Sequence, residues 1–202
     1  METDFLVRYP GGFADMEMAA IAKRHKMDKM LEFAEVSFAP GEFARPWVVV
    51  ENLAKLVSRS SMVSMFEKPK FKQFVAGLDE QNKAAFAEAL EERLYGDEGQ
   101  GFDRMLSMMS EAGLAKWSLI SICPVYFAPC KEVYVKPTTT KGVISALELE
   151  GLVYRPKPDW DFYERYREII TEMKQLVCPS LSPSNAAFTG FLMMGLGGFD
   201  EK

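Results

Sequence analysis

Residues 117–142 read WSLISICPVYFAPCKEVYVKPTTTKG, and residues 154–163 read YRPKPDWDFY. How these two runs are read decides the fold. Segments 118–122 and 132–135 have the apolar, β-branched composition of short strands, and Pro124 and Pro129 limit what can lie between them. Segment 138–150 then reads as a short helix and 152–154 as a third strand. Strand and helix therefore mix here, whereas the sequence on the N-terminal side has helical spacing throughout.

Working outward toward the N-terminus, Pro10-Gly11-Gly12 separates segment 5–9 from one long helix with Asp15 at its N-cap. Met16, Ala20, Met27, Met30, Leu31 and Ala34 form its apolar stripe, and Ala39-Pro40-Gly41 ends it. Pro46 suits the first position of a second helix, in which Val49, Val50, Leu53, Leu56 and Val57 recur at helical spacing. A short helix over 70–76 stops at Gly77. Asp79 caps the next, whose Phe86, Leu90 and Leu94 face ends before Gly96. A loop over 97–101 leads to a helix over 102–112, with Met105, Leu106 and Met109 on one face and Gly113 at its C-terminal cap.

Toward the C-terminus, Asp159 caps the most regular helix of the chain. Phe162, Tyr166, Ile169, Met173 and Leu176 repeat at spacings of four and three, and Asp161 is placed to pair with Arg165. Cys178-Pro179 ends that helix. Ser182-Pro183 opens a last apolar one holding Phe188, Phe191 and Leu192, closed by Gly195 and Gly197-Gly198. The expected fold is mainly α: one multi-helix domain over 1–202, helical to about residue 113, with a small β element in the C-terminal half.

Composition narrows the function. A chain of 202 residues that is 48% hydrophobic and 26% charged has the balance of a globular domain able to bury a core. Its net charge of -5 gives no global attraction for nucleic acid or anionic membrane, so such binding would need a local patch. Three cysteines without a C-x-x-C, and a single histidine, argue against a zinc site and against a disulfide scaffold. No metal or cofactor is expected. The N-terminus, METDFLVRYPGG, lacks the basic start and long apolar run of a signal peptide. The longest apolar stretch, 186–196, is interrupted by Thr189, Gly190 and Gly195 and is too short for a bilayer. A cytoplasmic protein with no membrane partner is expected.

Two clusters are candidates for a site. Lys136, Thr138, Thr139, Thr140 and Lys141 sit at a strand-to-helix junction, where helix N–H groups, hydroxyls and two ammonium groups would suit an anion. A threonine N-cap with solvated lysines explains the same residues, since the glycine spacing of a phosphate loop is missing. Lys23, Arg24, His25, Lys26 and Lys29 form the densest basic cluster, a candidate nucleic-acid contact or a solvated helix face. Asp159, Asp161 and Glu164 are accounted for by the helix dipole. Cys123 and Cys130 lack an evident base, and no G-x-S-x-G, H-E-x-x-H or G-x-G-x-x-G occurs. Thirteen methionines and the apolar stretch 185–199 could form a surface for self-association, although such residues are more often core.

The order W-x3-S-x2-P, P-x6-K-P-x2-T and Y-x-P-x-P-D-W-x2-Y, carried by Trp117, Pro124, Pro129, Lys136, Pro137, Thr140, Tyr154, Pro156, Pro158, Trp160 and Tyr163, resembles a family of bacterial proteins of about 200 residues. Tyr9-Pro10-Gly11-Gly12-Phe13 and Phe66-Glu67-Lys68 also look like positions of that family. After Val177 the chain departs from it. The family carries an acidic, glutamine-containing segment there, and this chain has Ser184-Asn185-Ala186-Ala187-Phe188. The resemblance implies one full-length domain and brings no substrate, cofactor or catalytic residue.

The expected function is a non-enzymatic binding or regulatory protein that uses the junction around Lys136. Two alternatives stay open. One is an enzyme acting on a phosphorylated or otherwise anionic small molecule, with Asp159, Glu132 or Tyr154 supplying acid–base chemistry. The other is a nucleic-acid-associated protein using the Lys23–Lys29 cluster.

Overall fold

A computed structural model describes residues 1–196. Among them are eleven α-helices and no strand. In chain order the helices are α1 (Glu2–Arg8), α2 (Met16–Arg24), α3 (Met27–Ser37), α4 (Pro46–Arg59), α5 (Glu67–Gly77), α6 (Glu80–Tyr95), α7 (Glu98–Glu111), α8 (Trp117–Phe127), α9 (Pro137–Ala146), α10 (Trp160–Lys174) and α11 (Asn185–Gly195). Short 3₁₀ turns lie at Gly12–Ala14, Pro40–Ala44 and Pro179–Leu181. None of the described helices is long and apolar enough to cross a membrane.

The fold is mainly α, as the spacing predicts, and its centre is α4. All five residues of the expected stripe, Val49, Val50, Leu53, Leu56 and Val57, are buried, and the helix packs on α3, α5, α6 and α8. Helices α6 and α7 approach closely at Gly101, where an added Cβ would strike the Arg93 backbone N, lie 2.6 Å from the Arg93 Cα and 2.7 Å from the Ala89 carbonyl. The two ends of the described chain meet. The Phe5 and Phe191 rings lie 5.2 Å apart edge-on, and the Glu2 Oε1 accepts a hydrogen bond from the Cys178 N–H at 3.0 Å.

The expected β element is absent among the described residues, and each of its pieces has a physical reason. Segment 118–122 lies inside α8, whose side chains are buried on nearly every face. An apolar run that is buried all round carries no period, so composition alone does not separate helix from strand. Pro124 sits inside this helix, which explains the misleading break signal. Segment 132–135 forms neither strand nor helix. Side chains bond its backbone instead: Ser121 Oγ accepts from the Val135 N–H at 3.2 Å, and the Tyr163 hydroxyl donates to the Val133 carbonyl at 3.1 Å. Segment 152–154 follows a turn with Glu148 and Gly151 at positive φ and forms no ladder.

Three smaller expectations are also corrected. The single helix expected from Asp15 is two, because Lys26 adopts a left-handed φ of 54° between α2 and α3. The break turns Met18 rather than Met16 and Ala20 toward the core. Helix α7 starts at Glu98 and absorbs most of the expected loop over 97–101, with Asp97 as its cap. Arg165 pairs with Glu168 at 3.0 Å rather than with Asp161, and Leu176 is exposed beyond the end of α10. Gly197 and Gly198, expected to close the last helix, and Phe199 lie outside the described residues.

Candidate functional site

Lys136 lies on the wall of a cleft of about 570 Å³ that gathers four distant pieces of chain. One wall is the 61–65 loop with the start of α5, where Glu67 and Lys68 line the space. Two tyrosines hold this loop: the Tyr126 hydroxyl is 3.0 Å from Ser60 Oγ, and the Tyr134 hydroxyl donates to the Met62 carbonyl at 2.6 Å. Burial pushes both phenols up, so they stay neutral hydrogen-bonding groups. The second wall is the start of α8, with Lys116, Trp117 and Ser118. The third is Tyr134, Lys136 and Pro137 at the start of α9, and the fourth is Tyr154 and Pro156. The Trp117 indole donates to the Arg155 carbonyl at 2.7 Å and packs on Phe162 at 5.2 Å, which ties the fourth wall to the second.

The charges on the cleft run against the usual chemistry of helix starts. Side chains of Asp15, Asp79, Asp97, Asp159 and Ser184 accept backbone N–H bonds at the starts of α2, α6, α7, α10 and α11. The caps of α8 and α9 are Lys116 and Lys136, and no side chain caps either helix, as is also true of α3 at Lys26 and α4 at Arg45 outside the cleft lining. Each lysine adds positive charge to the positive end of a helix dipole, where an acid is preferred. Lys68 adds a third ammonium group to the lining. Glu67 is the one acid among the described lining residues, and its Oε2 is held by the Ser118 hydroxyl at 2.7 Å.

The five residues expected at the anion site are divided by the structure. Lys136 lines the cleft, and the Lys141 ammonium lies 5.0 Å from the centre of the Tyr154 ring that forms one wall. Thr138 is exposed and Thr139 half-buried, both outside the lining. Thr140 is fully buried and turned inward toward Tyr166. Neither of these two hydroxyls has a partner at hydrogen-bond geometry, yet Thr140 is near enough to moderate the rise that burial causes in the Tyr166 phenol. The basic cluster is exposed at all five positions, and His25 joins it to the cleft: its Nδ1 lies 2.7 Å from Ser61 Oγ, and Ser61 is a lining residue. No carboxylate pairs with the histidine among the described residues, so nothing orients it as a base.

Of the three acid–base candidates, Tyr154 alone lies on the cleft. Asp159 caps α10 by accepting the Phe162 N–H at 2.9 Å. Glu132 is buried in a charge network that is structural. Its Oε2 accepts from Arg93 at 2.5 Å and from the Tyr163 hydroxyl at 2.7 Å, and its Oε1 from Arg167 at 2.9 Å. Glu98 completes the network through Arg167 at 2.7 Å and a contact with Lys131. Burial lowers the Arg93 pKa, but Tyr163, Glu132 and Glu98 outweigh it and the net direction is up. The C-terminal apolar surface is mostly interior, since Phe188, Phe191 and Leu192 are buried.

The sequence left Lys116 unmarked as a site residue because the run after it reads as a strand, which hides that it caps a helix. Lys68 and Glu67 carried a signal, standing in the Phe66-Glu67-Lys68 run singled out by resemblance. No family model, curated protein or solved structure matches this chain.

Proposed function

We propose that this is a binding protein rather than an enzyme, and that it holds an anionic ligand in the cleft through Lys116 and Lys136. One observation carries the reading: the lysines at the caps of two helices, α8 and α9, open on one cleft. A cation at a helix N-cap opposes the dipole, and an anion seated between two such starts turns that cost into attraction. Lys68 supports the same reading, because it adds a further ammonium group to the lining. The enzymatic alternative has less support, as Asp159 and Glu132 are engaged elsewhere.

The test is thermal unfolding with increasing inorganic phosphate. The wild type is expected to gain a rise in Tm that grows with the logarithm of phosphate concentration, since a ligand at about a hundred times its Kd adds about 2.7 kcal/mol. Lys116→Ala with Lys136→Ala is expected to lose that rise, and Lys23→Ala with Lys29→Ala to keep it. An unchanged rise in the first variant, or none in the wild type, rejects the cleft as an anion site.

A further inference from the structure

We propose that the 61–66 loop, with the lysines on both sides of it, is a docking surface for an anionic lipid bilayer. The proposal goes beyond the anion reading above and uses neither Lys116 nor Lys136. It starts from two adjacent side chains, Met65 and Phe66, which are 74% and 75% exposed. Single apolar side chains in water are ordinary, but two bulky neighbours at one tip form a patch. Hydrogen bonds fix that tip from both ends. The Ser64 carbonyl accepts from the Glu67 N–H at 3.0 Å, and the Tyr134 hydroxyl donates to the Met62 carbonyl at 2.6 Å. The fold therefore presents Met65 and Phe66 to water in one set place.

The charge beside the tip is mainly positive. Between residues 52 and 78 the one acid is Glu67, which the Ser118 hydroxyl already bonds, against Lys55, Arg59, Lys68, Lys70 and Lys72. On the other side, Lys23, Arg24, Lys26 and Lys29 surround the turn between α2 and α3, with Asp28 the one acid among them. The contact of 2.7 Å between His25 Nδ1 and Ser61 Oγ brings this turn to the foot of the loop. Lys23, Arg24, Lys26, Lys29, Lys70 and Lys72 are all exposed, and no ion pair holds them among the described residues. A chain of net charge -5 thus concentrates cations beside its exposed apolar pair. An anionic bilayer fits both parts, because apolar side chains enter the boundary below the headgroups while lysines stay among them. A nucleic acid would use the cations but stacks its bases on several rings. Phe66 is the one exposed aromatic on these segments, since Trp47 and Tyr95 lie elsewhere in the chain.

The test is co-sedimentation of the full chain with vesicles of phosphatidylcholine, alone or mixed with phosphatidylserine. The mixed vesicles are expected to retain the protein about tenfold more strongly or better, and less as salt screens the charges. Met65→Ser with Phe66→Ser is expected to weaken that retention by about tenfold. Leu176→Ser, at an apolar position 82% exposed just past α10, is expected to leave it unchanged. Lys23→Ala with Lys26→Ala, and Lys70→Ala with Lys72→Ala, are each expected to weaken it by about tenfold. All these positions are exposed, and an unchanged Tm checks that the variants fold. No retention on the mixed vesicles rejects the proposal, and equal retention on phosphatidylcholine alone does the same. Retention that survives Met65→Ser with Phe66→Ser rejects the loop as the docking surface. Duplex DNA and single-stranded RNA are titrated at the same salt, and binding to either without binding to vesicles assigns this face to nucleic acid and overturns the proposal. Failure here leaves the phosphate test of Lys116 and Lys136 standing.

Discussion

Arg93 is 1% exposed and Glu132 2%, so the pair sits in an interior that would reject either charge alone. The guanidinium lies 5.2 Å from the centre of each of the mutually stacked Trp160 and Tyr163 rings, while Glu132 takes hydrogen bonds from Arg93, Arg167 and Tyr163. The Arg93 Nε finds no partner, which makes the carboxylate on its other nitrogens more necessary. Breaking such a pair leaves an uncompensated charge. Glu132→Ala is therefore expected to lower stability by about 3–5 kcal/mol in chemical denaturation. Lys131→Ala removes a side chain 57% exposed that touches Glu98, and its loss is expected to cost about 0–1 kcal/mol. Equal losses in the two variants would contradict the buried-charge account. None of this was visible in the sequence, where Arg93, Glu98, Glu132 and Arg167 are spread over more than seventy positions.

At the scale of elements, the caps Asp15, Asp79 and Asp159 and the stripe of α4 were legible because each is a local pattern. A cap is an acid or serine next to its helix, and an apolar face repeats every three or four residues. Helix α8 was not legible, since all-round burial erases the period and Pro124 imitates a stop. The break at Lys26 was equally hidden, as nothing near it in sequence asks for a left-handed lysine. The caps also separate function from stability. Lys116 already has the extended backbone of a cap, with φ of −123° and ψ of 136°. Lys116→Asp would supply the missing acceptor and is expected to raise stability by about 0.5–2 kcal/mol. The same variant is expected to lose the Tm gain from phosphate. A loss of stability, measured by urea unfolding, would mean that Lys116 has a structural role at the start of α8.

For the whole molecule, the charge network links α6, α7, α10 and the 131–133 segment, and so ties global stability to pH. Burial alone would raise the Glu98 carboxyl, but hydrogen bonds from Lys131 and Arg167 hold it below its ordinary value of 4.5. A carboxyl lowered in the folded state contributes fully above the unfolded value and loses that contribution as pH falls through the folded one. The urea midpoint is therefore expected to drop as pH is lowered from about 5 toward 2, and Glu98→Gln to flatten that drop. A Glu98→Gln curve parallel to the wild type would remove Glu98 as a source of acid sensitivity. The amino-acid sequence by itself determined that the protein is mainly helical, that α4 is a core helix, and where α2, α4, α6 and α10 begin. Those properties depend on residues within a turn or two of one another. Only the tertiary structure decided the path of residues 117–135 and the existence of the cleft. Its walls come from 61–68, 116–118, 134–137 and 154–156, and Lys68, Lys116 and Lys136 line one cleft only when folding brings those segments together.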